Sequence, residues 1–166
     1  MKTLLLTLLF IFSIAPILQA EDKDGYRIIV QKTTLARDDT RGRNLYDDRI
    51  DRTLGLKVSF KNISMKEKAE ATVDYSIIVS RWGFSTPRYE KYTGSEKLAA
   101  LKQQEGADLT LGKARIGGYA NFGNKRYQDK VEAWEVVIKQ ADGTATSMQS
   151  NSSYARMAEK SVKPSN

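Results

Sequence analysis

The run Leu54-Gly55-Leu56-Lys57-Val58-Ser59-Phe60-Lys61 decides the fold. Leu54, Leu56, Val58 and Phe60 alternate with Gly55, Lys57, Ser59 and Lys61, a period of two that lays the apolar side chains on one face of a β-strand and the lysines on the other. After a polar turn at residues 62–70, Ala71, Val73, Tyr75, Ile77 and Val79 alternate with Thr72, Asp74, Ser76, Ile78 and Ser80. The second face turns apolar only at Ile78 and Trp82. Residues 130–140 put Val131, Ala133 and Val137 on one side and Trp134, Val136 and Ile138 on the other, so both faces are partly apolar, as in a central strand. Asp142-Gly143 directly after it predicts a type I′ hairpin turn with a return strand at 144–150.

Weaker strands fill the gaps at 26–33, through Ile28, Ile29 and Val30, at 88–92, and at 107–116, through Leu109, Leu111 and Ile116. About seven strands at this spacing predict an all-β chain folded as a single antiparallel β-sandwich. Residues 95–104 read either as a short helix, with Ser95 as cap and Leu98 and Leu101 a turn apart, or as a short strand and a connection. A sandwich leaves little place for a helix and favours the second.

The N-terminus reads as a secretory leader. Lys2 supplies a positive start, residues 4–14 are almost unbroken apolar, Pro16 ends the run, and Glu21-Asp22-Lys23-Asp24 is abruptly charged. A signal peptide over 1–20, cleaved after Ala20, is expected. The apolar stretch 3–18 has 16 residues, short of the roughly 20 that span a bilayer, so no membrane span is expected in the mature chain. One domain over 21–160 follows, with a mixed-charge loop near 36–51 and a disordered tail at 161–166. Removing Lys2 with the leader leaves 26 basic against 20 acidic residues, a net charge of +6. An exported chain with no Cys fits a bacterial periplasm or surface better than a cross-linked extracellular domain.

With neither Cys nor His, the chain has no disulfide, thiolate nucleophile, imidazole base or ordinary zinc site. No metal and no cofactor are expected. Gly106 and Gly112-Lys113 miss the phosphate-loop spacing and have Ala114 where a hydroxyl is required. Asp38-Asp39-Thr40-Arg41-Gly42 puts Arg41 at a calcium-ligand position. Asp47, Asp48 and Asp51 are balanced by Arg43, Arg49 and Arg52. Glu132 and Glu135 are an odd number of residues apart, which on a regular strand puts them on opposite faces and unable to flank one bond. An enzyme is therefore not expected.

The string Leu-Lys-Val-Ser-Phe-Lys-Asn-Ile-Ser at 56–64, with Gly106 before a later strand and a hairpin near the C-terminus, resembles bacterial immunoglobulin-like sandwich domains of the CARDB and fibronectin type III kind. The resemblance implies that Asn62 follows the second strand and satisfies turn backbone groups. It also implies a non-catalytic module of a secreted or surface protein, with no active-site residues to carry over.

What remains is basic and aromatic. Arg81-Trp82-Gly83-Phe84 with Arg88-Tyr89 forms one group, and Arg115, Tyr119, Phe122, Lys125, Arg126 and Tyr127 form another. Aromatic faces beside cations suit a sugar ring or a polyanion. Trp82 and some tyrosines would equally serve as core plugs between the sheets. Residues 118–122 only brush an RNA-binding pattern, and export argues against a nucleic-acid partner. The candidate ligand residues are Trp82, Phe84, Arg88, Tyr119, Phe122 and Arg126, and the expected partners are an envelope or extracellular protein or an anionic glycan.

Overall fold

In chain order the strands are β1 (Leu18–Lys23), β2 (Tyr26–Arg37), β3 (Asp48–Asn62), β4 (Ala71–Arg81), β5 (Arg88–Leu98), β6 (Gly106–Ala120), β7 (Arg126–Gln128), β8 (Lys130–Gln140) and β9 (Ala145–Gln149); helix α1 (Tyr154–Glu159) follows. The computed structural model describes residues 18–39, 48–83, 86, 88–120 and 126–164, without the side chains of Leu18, Asp48, Ala120 and Arg126. Most of the expected leader, residues 1–17, lies outside the described residues, as does the centre of the 36–51 loop.

The strands form two antiparallel sheets, β1-β2-β3-β6-β7 and β5-β4-β8-β9. The alternation read from the sequence is what joins them. Tyr26, Ile28 and Val30 of β2, Leu56, Val58 and Phe60 of β3, and Leu111, Ala114 and Ile116 of β6 meet Val73, Ile77 and Val79 of β4, Trp134, Val136 and Ile138 of β8, and Met148 of β9 in one buried cluster. Each large side chain hidden there contributes about 1.5–3 kcal/mol, so this double layer holds the fold together. The core tryptophan is Trp134.

Nine strands are found among the described residues where about seven were expected. The additions are β1, which overlaps the expected leader, and the three-residue β7. Neither alternates, because each is an edge strand held mainly by its neighbour's backbone. The mixed-charge segment is partly strand as well: β2 runs to Arg37 and β3 starts at Asp48. Among its described residues, Asp39 accepts from Arg52 across the pair and from Arg37 beside it, and Asp51 accepts from Arg115 of β6.

Residues 95–104 are strand and connection: β5 continues to Leu98, and Leu101 then bridges to Lys68. The outer face of β4 and β8 is apolar at Ile78 and Ala133 because α1 covers it with Tyr154, Met157 and Ala158. Val162, beyond the helix, bridges to Glu90.

The type I′ turn expected at Asp142-Gly143 is corrected. Asp142 keeps a negative φ and only Gly143 is left-handed, at +86°, with Gly143 N donating to Gln140 O. This is a three-residue connection closed by a glycine, not a type I′ turn. The type I′ geometry belongs to Asp24-Gly25, with φ of 50° and 79°, which links β1 to β2.

The parity of β8 is also corrected. Its register against β4 slips between Ile78 and Val79, which face Ala133 and Val131, so Glu132 is bulged. The bulge turns Val131 to the core side. It also puts Glu132 on the outer face with Glu135: Ser80, which shares that face with Ile78 and Ser76, donates to Glu132 Oε1 at 2.7 Å, and Ser76 pairs across the strands with Glu135. The argument that parity separates these two carboxylates therefore fails. A second bulge, at Gly112-Lys113 opposite Gly55, is what the glycine-lysine pair is for. Gly112 has φ +81°, and a Cβ there would lie 2.6 Å from Ile77 of the facing sheet.

Candidate ligand-binding end

Arg81, the last residue of β4, continues the inward parity of Ile77 and Val79, so its guanidinium enters the end of the sandwich. There it bridges two buried carboxylates, donating to Asp129 and, at 2.5 Å, to Glu90 Oε2. It donates also to the Tyr92 hydroxyl at 2.5 Å and the Arg115 carbonyl at 3.0 Å. Burial alone would lower the Arg81 pKa; the bonds to Glu90 and Asp129 outweigh it and hold the guanidinium above its ordinary value. Burial pushes the Tyr92 hydroxyl up. Asp129 does more than neutralise: its carboxylate accepts from Trp82 N at 3.1 Å and Gly117 N at 2.8 Å. One ionic hub thus ties β4, β5, β6 and the β7–β8 junction together, and fixes the backbone of Trp82.

Outside this hub the rings stand in solvent. Trp82 is 39% exposed, Tyr119 47% and Tyr127 45%. Tyr119 and Tyr127 are direct cross-strand partners, and Arg49 is opposite Tyr119 on the other side, so the three share one face. Trp82 packs edge-on to Tyr119 at 5.7 Å and tilted against Tyr127 at 6.0 Å between ring centroids. Beside them is a cavity of about 340 Å³ whose lining includes Arg49, Asp51, Arg81, Trp82, Arg115 and Tyr119. Arg115 holds Asp51 through two bonds of 3.1 and 2.6 Å, which keep the aspartate below its usual range.

The structure therefore brings together Trp82 and Tyr119 of the six sequence candidates. Arg88 opens β5 opposite Arg81. Phe84 and Phe122, with the side chain of Arg126, lie outside the described residues. Residues 40–47, 84, 85, 87 and 121–125, also outside that set, flank strands that end here. Trp82 as a core plug is overturned by its exposure. Asp129 and Glu90 were missed, yet Glu90 carries a signal: it shares the parity of Arg88 and Tyr92, which places a carboxylate on the inward face across from Arg81.

Asp129, Glu90 and Asp51 are each committed to an arginine, and among the described residues no group of three His, Cys, Asp or Glu is placed to bind a metal. No protein-family model matches the chain, and no curated protein matches it.

Proposed function

We propose that this chain is an exported, non-catalytic binding module with an immunoglobulin-like sandwich fold, and that its aromatic end receives an anionic glycan. The fold reading is supported by strand order: β2-β3-β6 facing β9-β8-β4-β5 follows the A-B-E and G-F-C-C′ order of immunoglobulin-like domains. Export rests on the leader-like residues 1–20, with a bacterial periplasm or surface as destination. No helix among the described residues is long and apolar enough to cross a membrane.

The observation that carries the ligand reading is the exposed trio of Trp82, Tyr119 and Tyr127 beside Arg49 and Arg115. A sugar ring offers C–H faces to aromatic rings, and its carboxylate or sulfate groups would find the guanidinium donors. The net positive charge draws such polymers in before contact. A glycan array probed at low and high salt tests this. Retention of particular uronic or sulfated glycans that survives moderate salt and falls at least tenfold in Trp82→Ala is the expected result. Retention that salt abolishes for every anion alike, or that Trp82→Ala leaves intact, overturns it.

A further inference from the structure

The four-stranded sheet has two edges, and only one is closed. On the β9 side the outward carbonyls of Ser147 and Gln149 are capped from β1, by Lys23 Nζ at 3.0 Å and Gln19 Nε2 at 3.1 Å. On the β5 side Tyr89 O and Lys91 N point away from β4, and Val162 uses both: its N–H donates to Tyr89 O at 3.0 Å and its carbonyl accepts from Lys91 N at 2.9 Å. This is a single parallel bridge. The next rung would need residue 164 to donate an N–H to Lys91 O, and residue 164 is Pro. The ladder stops there.

Strand alternation turns the N–H and C=O groups of Thr93, Ser95 and Lys97 to the same outer side as those of Lys91. Among the described residues none of these groups has a hydrogen-bond partner. The pairing of β5 with β4 is unbroken from Arg88 to Leu98, so no bulge twists this edge away. Alongside it a cavity of about 530 Å³ opens toward the β6 bulge, with Tyr75 and Tyr92 among its walls and Lys91, Lys113 and Lys163 against the one glutamate, Glu96.

We propose that the outer edge of β5, from Lys91 to Lys97, takes up an extended, acidic segment of a partner protein as an added strand. Main-chain bonds to Thr93, Ser95 and Lys97 supply the pairing. Alternate side chains of the segment rest against Tyr75 and Tyr92, and its carboxylates, turned to the other face, meet Lys91 and Lys97. A second copy of β5 is disfavoured as the occupant, because it would bring Lys91 and Lys97 against the same residues. The proposal does not rest on the glycan reading: Tyr92 reaches the ionic hub, but neither the aromatic trio nor Arg49 and Arg115 lines the β5 edge.

NMR titration of the purified protein with three eight-residue peptides, alternating valine with aspartate, serine or lysine, tests it. The aspartate peptide is expected to shift the amides of Thr93, Ser95 and Lys97 and to bind at least tenfold more tightly than the lysine peptide. A proline is tolerated on an edge strand where the N–H faces solvent, so Thr93→Pro is expected to fold and to weaken binding at least tenfold. Should that variant fail to fold, the pair Lys91→Glu with Lys97→Glu decides, and the preference is expected to move to the lysine peptide. Trp82→Ala leaves these titrations unchanged. Absence of β5 shifts with every peptide, equal binding of all three, a folded Thr93→Pro that binds like the parent, or a preference that charge reversal does not move would each overturn the proposal.

Discussion

The two ends of the sandwich are each closed by one buried polar side chain, and the two are of opposite kinds. At one end Asn62, fully buried, sends Nδ2 to the carbonyls of Lys66, Leu101 and Lys102 at 2.7, 3.0 and 3.1 Å. Its Oδ1 accepts from Ser64 N and Oγ, and its backbone bonds Glu105 and Gln104. At the other end Arg81 joins Glu90, Asp129 and Tyr92. A neutral amide whose partners are groups of the β3–β4 and β5–β6 connections seals its end without any counter-charge. A charged hub must draw its counter-charges from several strands, and in doing so it fixes Trp82 at the rim. The second end is therefore both the recognition candidate and the more fragile closure.

Breaking the ionic hub is expected to have the largest effect. Arg81→Met leaves Glu90 and Asp129 buried without a counter-charge, a loss of about 3–5 kcal/mol in urea unfolding. Adding Glu90→Gln and Asp129→Asn to it should restore most of that, because the penalty comes from the stranded charges. A cost for Arg81→Met below about 1 kcal/mol would mean the hub does not close this end. Asn62→Ala removes every side-chain bond of the buried amide at the opposite end and leaves Ser64 N without its acceptor, and is expected to cost on the order of 3 kcal/mol. Unlike the Arg81 deficit, no charge-neutralising second substitution should relieve it.

The comparison sharpens further at the exposed side chains. Trp82 at the open end and Met65, 85% exposed at the sealed end, each sit outside the core. Replacing either with alanine should move stability by less than about 0.5 kcal/mol. Only Trp82→Ala should also lose glycan retention. Equal binding by the two variants would remove the functional difference between the ends.

The core was legible because alternation in β3, β4 and β8 is imposed by burial on one face, which leaves a period in the residues themselves. The turn-binding role of Asn62 was expected only from the resemblance of residues 56–64, and the side chain does bond turn backbone from the last position of β3. Bulges were not: Glu132 carries nothing that announces an inserted residue, and one insertion reverses the parity of everything before it. Asp142-Gly143 was misread because the dipeptide permits a left-handed conformation, while loop length decides whether one residue adopts it or both, as both do at Asp24-Gly25. At the candidate site, Trp82 and Tyr119 were found by residue type. Which arginine is displayed and which is buried depends on carboxylates from β5 and the β7–β8 junction, a pairing at long sequence separation that no local pattern records.

The smallest effect separates the ends by pH. Asp39, beside the charged end, has its carboxyl held at about 2 instead of 3.8, first because Arg52 donates to it at 3.0 and 2.5 Å, with burial opposing and Arg37 adding to the pull. A carboxylate whose folded pKa lies below its unfolded value contributes stability above the unfolded pKa and loses it as pH falls through the folded one. The stability gap between the parent and Asp39→Asn should therefore be level from pH 7 to about 4 and close between about 4 and 2. The Asn62→Ala deficit, resting on an amide that does not titrate, should stay level through the same window. Urea midpoints at pH 7, 4, 3 and 2 measure both, and parallel behaviour of the two variants would show that the ends do not differ in the way their buried groups indicate.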